Sequence, residues 1–218
     1  MRPLSPLEAR VLAVLVEKQA TVPDTYPMSI NAITSGCNQK SSRDPVMEAS
    51  EGEVQSAIDT LKALDLVYET SGGRVTKFAQ NFRKVLGIPA QSVVLLTVLM
   101  LRGPQTLAEL RTHSERLHKF ADISAVEGFM HELRDNGRVI ELARPPGARE
   151  PRWMHLLSGD IDVTQFVTPS PEPGERRGVD ISLSELATLR TRIEALEQDN
   201  AMLKATMAKL CAELGIAP

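Results

Sequence analysis

An internal repeat in the first 157 residues constrains this chain more than any other feature. Val11-Leu12-Ala13-Val14-Leu15 aligns with Leu95-Leu96-Thr97-Val98-Leu99 at an offset of 84. Ile30 and Ile33 fall on Leu107 and Leu110 at an offset of 77, and Val54, Ile58, Leu61 and Val67 fall on Val126, Met130, Leu133 and Val139 at 72. The offset only shrinks along the chain. That is the signature of one set of elements used twice, with shorter connections the second time.

Each copy reads as helix, short helix, helix and two-stranded hairpin. In the first, Ser5-Pro6-Leu7-Glu8 is a capping box with proline at the first helical position. It opens a helix whose apolar face carries Leu7, Val11, Leu12 and Leu15. A short helix is expected near Ser29 to Ser35. Ser50 and Glu53 form a second capping box, opening a helix with Val54, Ile58, Leu61 and Leu64 on one face. Val67 to Thr70 and Arg74 to Phe78 read as strands joined through Ser71-Gly72-Gly73. In the second copy a helix from about Ser92 ends at Gly103-Pro104. Thr106 with Glu109 and Ser124 with Glu127 repeat the capping pattern, and Gly137 closes the third helix. Val139 to Ala143 and Arg152 to Leu157 make the hairpin, with residues 144–149 at its tip. Three helices and a β-hairpin describe a winged helix. The expected architecture is mainly α (α+β): winged-helix domains at 1–86 and 87–157.

A linker containing Pro169, Pro171, Pro173 and Gly174 is expected over 158–180. A coiled-coil helix is expected over 181–215. Its a positions are Leu186, Ile193, Asn200, Met207 and Leu214, and its d positions are Leu189, Leu196, Leu203 and Leu210. One polar Asn at an a position sets register and favours two parallel strands. In that arrangement the g–e′ pairs are Glu185–Arg190, Arg192–Glu197 and Asp199–Lys204, all of opposite sign. A parallel homodimer is the expectation.

Charge narrows the partners. Residues 1–86 carry 10 basic and 10 acidic side chains, residues 87–157 carry 9 and 8, and residues 158–218 carry 6 and 10. This balance disfavours tight nonspecific binding of nucleic acid, where phosphate neutralisation supplies the affinity. Two cysteines build no disulfide framework. The longest apolar run, Val93 to Leu101, falls well short of the about 20 residues that span a bilayer, so no membrane partner is expected. A cytoplasmic protein fits these features. Phosphate loops, zinc-protease and Cys-x-x-Cys patterns are absent, which points away from an enzyme, a metal or a cofactor. Cys37 reads as a small buried hydrophobe, and His113, His118, His131 and His155 as surface or packing residues.

Two polar stretches remain. The first runs from Cys37 through Asn38, Gln39, Lys40, Ser41, Ser42, Arg43 and Asp44 to Met47, between the second and third helices. Its amide, hydroxyl and cationic groups suit phosphate and base edges. Equally, Asn38, Arg43 and Asp44 can tie the loop to itself. The second runs from Leu101 to Arg116, where Arg111 and Arg116 either meet phosphates or belong to a solvated face. The third helices argue against groove insertion, since Glu51, Glu53, Asp59 and Asp65 oppose Lys62, and Glu127, Glu132 and Asp135 oppose Arg134 and Arg138. The hairpins are better suited, with Arg74 and Lys77 in one and Arg144, Arg149 and Arg152 in the other.

The run from Asn38 to Met47 resembles a hallmark of the YceH family of uncharacterised bacterial proteins. Met100 to Thr106, with Glu109-Leu110-Arg111 and Ser114-Glu115-Arg116-Leu117, is similar to that family's other signature. Ser42 departs from it, standing where the family commonly has Asn. The resemblance implies a tandem winged-helix fold and carries no settled activity. Two functions are open at this level: a dimeric DNA-binding regulator, and a protein-interaction adaptor that uses its winged helices for docking.

Overall fold

The computed structural model describes residues 2–70, 75–144 and 150–159, together with Met207. The chain divides into a unit over Met1–Thr168 and a second over Pro169–Pro218. Of the heptad positions only Met207 is described, and it is helical. The other eight positions lie outside the described residues, as do Arg74 and Arg149.

The first unit is a mixture of helices and small antiparallel sheets, and its elements recur in order. Helix α1 (Pro6–Thr21) begins at the Ser5 capping box, with Ser5 Oγ accepting from Glu8 N and Glu8 returning the bond to Ser5 N. Helices α2 (Ile30–Cys37) and α3 (Glu51–Ala63) follow, each capped by a serine, Ser29 and Ser50. Strands β2 (Val67–Thr70) and β3 (Lys77–Gln80) pair antiparallel, Val67 opposite Gln80. Helix α4 (Phe82–Leu86) then links to the second copy: α5 (Ala90–Arg102), α6 (Leu107–Ser114), α7 (Ile123–Asp135), β4 (Val139–Leu142) and β5 (Arg152–His155).

Several boundaries differ from those expected. The second strand of the first hairpin lies over Lys77–Gln80, not Arg74 to Phe78, because Phe78 and Ala79 are the residues with apolar surface to bury. Helix α5 starts two residues early, after Pro89, and α4 was not anticipated. The Ser124–Glu127 capping box does not form. Asp122 caps α7 instead, its carboxylate accepting from Ala125 N at 2.8 Å, and Ser124 lies inside the first turn. An aspartate satisfies the orphan N–H as well as a serine does and adds a favourable charge at the helix N-terminus.

A third strand was also missed. Residues Met28–Ser29 form β1, which pairs with β3, so the first sheet runs β1-β3-β2. The second copy reduces this strand to one residue, Gln105, whose backbone exchanges two hydrogen bonds with Trp153 in β5. In both copies the strand residue directly precedes the capping residue of the second helix, Ser29 or Thr106.

The two copies share one core. Helices α1 and α5, equivalent in the repeat, pack on each other, so α1 is buried continuously from Glu8 to Val16 and α5 from Ser92 to Leu101. An amphipathic helix of one isolated copy would bury only a stripe. Here each first helix covers the back of the other, and the first copy's start is tied to the second copy's end by Leu4 N donating to Leu157 O at 2.8 Å.

Close approach of α2 to α1 depends on Gly36. A Cβ there would sit 2.6 Å from Cγ1 of Val14, itself fully buried. Helix propensity alone favours alanine over glycine by about 1 kcal/mol. Overpacking a rigid core costs about 1–3 kcal/mol and wins here. Gly36→Ala is therefore expected to destabilise by about 1–2 kcal/mol in urea unfolding. In a Val14→Ala background the same change is expected to stabilise, because the obstructing methyl is gone.

Candidate functional site

Arg10 and Glu17 are the charged residues on the otherwise apolar central stretch of α1, two turns apart and hence on one face. The 38–49 loop is laid across that face. It is closed at its base by Asn38, whose Nδ2 donates to Ala49 O and whose Oδ1 accepts from Ala49 N, both at 2.8 Å.

Arg43 is turned inward. Its side chain is fully buried; Nε donates to Gly36 O at 3.1 Å, and Nη1 and Nη2 meet the Glu17 carboxylate at 3.2 and 2.6 Å. It also donates to Ser42 O and Gln39 Oε1. Arg10 donates to Cys37 O at 3.3 Å and Pro45 O at 2.8 Å. These two guanidiniums satisfy the carbonyls of a loop that has no regular partner strand. Of the two readings open for Asn38 and Arg43, the loop-tying one describes the bonds they make. Asp44 ties the loop to the other copy, its N–H donating to Leu101 O at 2.8 Å.

The loop thereby meets the second polar stretch. Arg102 Nη2 donates to Ser42 Oγ at 2.7 Å. A cavity of about 120 Å³ opens at this junction, lined among others by Lys18, Gln39, Arg102, His113 and Arg116. Its carboxylate, Glu17, is committed to Arg43 and to Lys18 at 3.4 Å. Burial pushes the Glu17 carboxyl up, but the Arg43 hydrogen bond and the charges of Arg43 and Lys18 outweigh it and hold it below the usual range. Burial, followed by repulsion from Arg43, lowers the Arg102 pKa. His113, whose Nδ1 lies 2.6 Å from Gln105 Oε1, is lowered by burial and then by Arg102. The seam carries an excess of positive charge.

The remaining residues singled out from sequence are scattered. Lys40, Ser41 and Arg116 are exposed around the seam. Arg111 is exposed and donates to Ala121 O at 3.5 Å. Arg152 bonds Pro104 O and Glu109, while Lys77, in β3, and Arg144, just after β4, are exposed. Cys37 is buried, and desolvation pushes its thiol up to about 12, so it is an inert core residue. Lys18 and Arg102 went unrecognised as site residues, because nothing local marks two residues far apart in sequence as neighbours. No group of His, Cys, Asp and Glu fit to hold a metal ion occurs among the described residues. No described helix is long and apolar enough to cross a membrane.

Ser42 has φ 60°, a left-handed conformation that asparagine tolerates better than serine does. This accounts for a preference for asparagine at that position and makes serine there the more strained choice. Ser42→Asn is expected to raise stability by about 0.5–1 kcal/mol, since the amide oxygen can still accept from Arg102. Thermal unfolding of the variant beside the parent protein measures it.

A family model described as a protein of unknown function, DUF480, matches residues 4–148. A UPF0502 protein of Burkholderia multivorans is 53% identical over 218 residues, covering 99% of this chain and 91% of the relative. One from Leptothrix cholodnii is 51% identical over 217 residues, covering 99% and 97%. One from Cupriavidus taiwanensis is 53% identical, covering 99% and 89%.

Proposed function

This chain belongs to the DUF480 family, and from that premise we propose that it is a non-enzymatic DNA-binding protein of two tandem winged helices, dimerised by its C-terminal heptad repeat. The observation that carries the reading is the convergence of residues 38–47 and 100–117 on one cationic seam, where Lys18, Arg102 and Arg116 face a single carboxylate already engaged by Arg43. Such a cluster suits phosphate oxygens. The seam, Lys40 and Arg111 would grip the backbone, and the hairpins with Arg74, Lys77, Arg144, Arg149 and Arg152 would extend the contact. Dimerisation would pair two such surfaces with two half-sites.

The third helices do not take the usual inserting role in this scheme. Glu51, Glu53 and Asp59 on α3 and Glu127, Glu132 and Asp135 on α7 are all exposed. Carboxylates there are repelled by phosphate. That same acidic surface favours a second reading, an adaptor whose third helices dock on a basic protein partner.

Fluorescence anisotropy with random-sequence DNA across a salt series separates the two. The first reading expects binding at low salt whose log–log slope flattens by about 1 for each of Arg116→Glu and Lys40→Glu. Absence of binding at low salt would refute it and leave the adaptor.

A further inference from the structure

A second cavity, of about 360 Å³, lies at the opposite end of the loop crossing, between the N-terminal part of α1, the 44–47 segment, the end of α5 and β5. Its size falls at the small end of the roughly 300–1,000 Å³ typical of ligand pockets. The lining is mostly apolar, with three methionines, Met47, Met100 and Met154, drawn from three different elements. Methionine gives such a wall adaptability.

The polar groups in this wall are unusual. Arg10 is 1% exposed, and its Nε has no hydrogen-bond partner. Its two other contacts are backbone carbonyls, and among the described residues no carboxylate stands at ion-pair distance from it. Asp44, the cavity's own carboxylate, is exposed. His155 is 5% exposed with Nδ1 unpartnered, and burial lowers its pKa to about 4, so the ring is neutral. Two buried guanidiniums thus brace one loop, and only Arg43 has a counter-ion. A buried charge without a contact counter-ion is strongly destabilising. The cavity's one carboxylate, Asp44, makes no ion pair with Arg10 and acts on it only as a more distant charge, so the apolar space beside the guanidinium suits a ligand that brings a carboxylate of its own.

We propose that this cavity is an effector site for a small organic carboxylate with an apolar body, its carboxylate paired to Arg10 and its hydrocarbon part against Met47, Met100 and Met154. The occupant would bear directly on the loop that joins the two copies, because Arg10 holds Pro45 O and Asp44 N–H holds Leu101 O. Binding there biases the seam without touching it.

The test is methyl NMR on the full-length chain labelled at methionine Cε, with hexanoate, hexylamine and hexanol as probes. Hexanoate should shift the Met47, Met100 and Met154 resonances saturably and leave Met28 and Met130, buried elsewhere in the core, in place. Hexylamine should not. Arg10→Met should weaken hexanoate by about tenfold or more, the loss of a charge-assisted bond. Should that variant fail to fold, Met154→Trp, at a half-buried position, fills the cavity and should abolish the shifts. Hexanoate without saturable shifts at these methyls overturns the proposal. So does hexanol matching hexanoate, which would reduce the cavity to an apolar void. The outcome is independent of whether the protein binds DNA.

Discussion

Arg43→Ala is expected to lower the stability of the folded unit by about 3–5 kcal/mol, the cost of breaking a buried ion pair by removing one partner. The change removes the donors for Gly36 O, Ser42 O and Gln39 Oε1 and leaves the Glu17 carboxylate, 15% exposed, with only the longer 3.4 Å contact to Lys18. For a protein of this size that corresponds to a fall in Tm of roughly 6–20 °C. Urea unfolding followed by circular dichroism measures it. A loss under about 1 kcal/mol would mean that the loop does not depend on the guanidinium, as a surface pair would behave. Glu17→Gln should cost a similar amount, because it strands the arginine, and the double variant should cost less than the sum of the two. Glu17 also carries a pH signature. Its folded pKa is depressed, so its contribution is complete above the ordinary carboxylate pKa of 4.5 and is lost as pH falls below that value.

The second large effect lies at a higher pH. His155 in β5 is buried, and desolvation alone lowers its pKa from 6.5 to about 4. The unfolded chain therefore takes up a proton at a pH where the folded chain does not. Stability from this group is complete above pH 6.5 and drains away as pH falls toward 4, amounting to about 2–3 kcal/mol by pH 4.5. His155→Leu should remove that slope. Nδ1 has no partner to lose, and a leucine fills similar space. The variant should match the parent at pH 7 and exceed it in stability at pH 4.5, in urea titrations at both values. Equal loss in both proteins would show that His155 already accepts a proton in the folded state.

Much of the local structure was legible from sequence because it is decided locally. Ser5, Ser50 and Thr106 each satisfy an orphan N–H three residues on, a bond whose partners are adjacent in the chain. Gly103 and Gly137, at φ 71° and 64°, stop helices where only glycine is comfortable. The error at Ser124 has the same local origin: two capping residues stand two positions apart, and Asp122 forms the cap. The missed strand at Met28–Ser29 has a different cause. Two residues carry no periodicity, and β1 exists only because β3 lies beside it.

The candidate site was legible as residue types and not as an arrangement. Asn38 and Arg43 stood out as polar residues in a long connection, which allowed contact with a partner or closure of the loop. Only the packing of that loop against α1 decided for closure, because Arg43 spends its donors on the Gly36 carbonyl and on Glu17, 26 positions earlier. Residues 38–47 and 100–117 were each conspicuous, yet nothing in either says that they touch.

Sequence alone determined the repeat, the order of the three helices and hairpin within each copy, most helix ends and membership of a family, since these depend on periodicity, capping bonds and identities within reach of the chain itself. Tertiary structure decided which charges are spent and which are free. Packing of the 38–49 loop on α1 buried Arg10 and Arg43 and half-buried Glu17; where charge is poorly screened, Arg43 found Glu17 across the fold, while Arg10 is held by the carbonyls of Cys37 and Pro45.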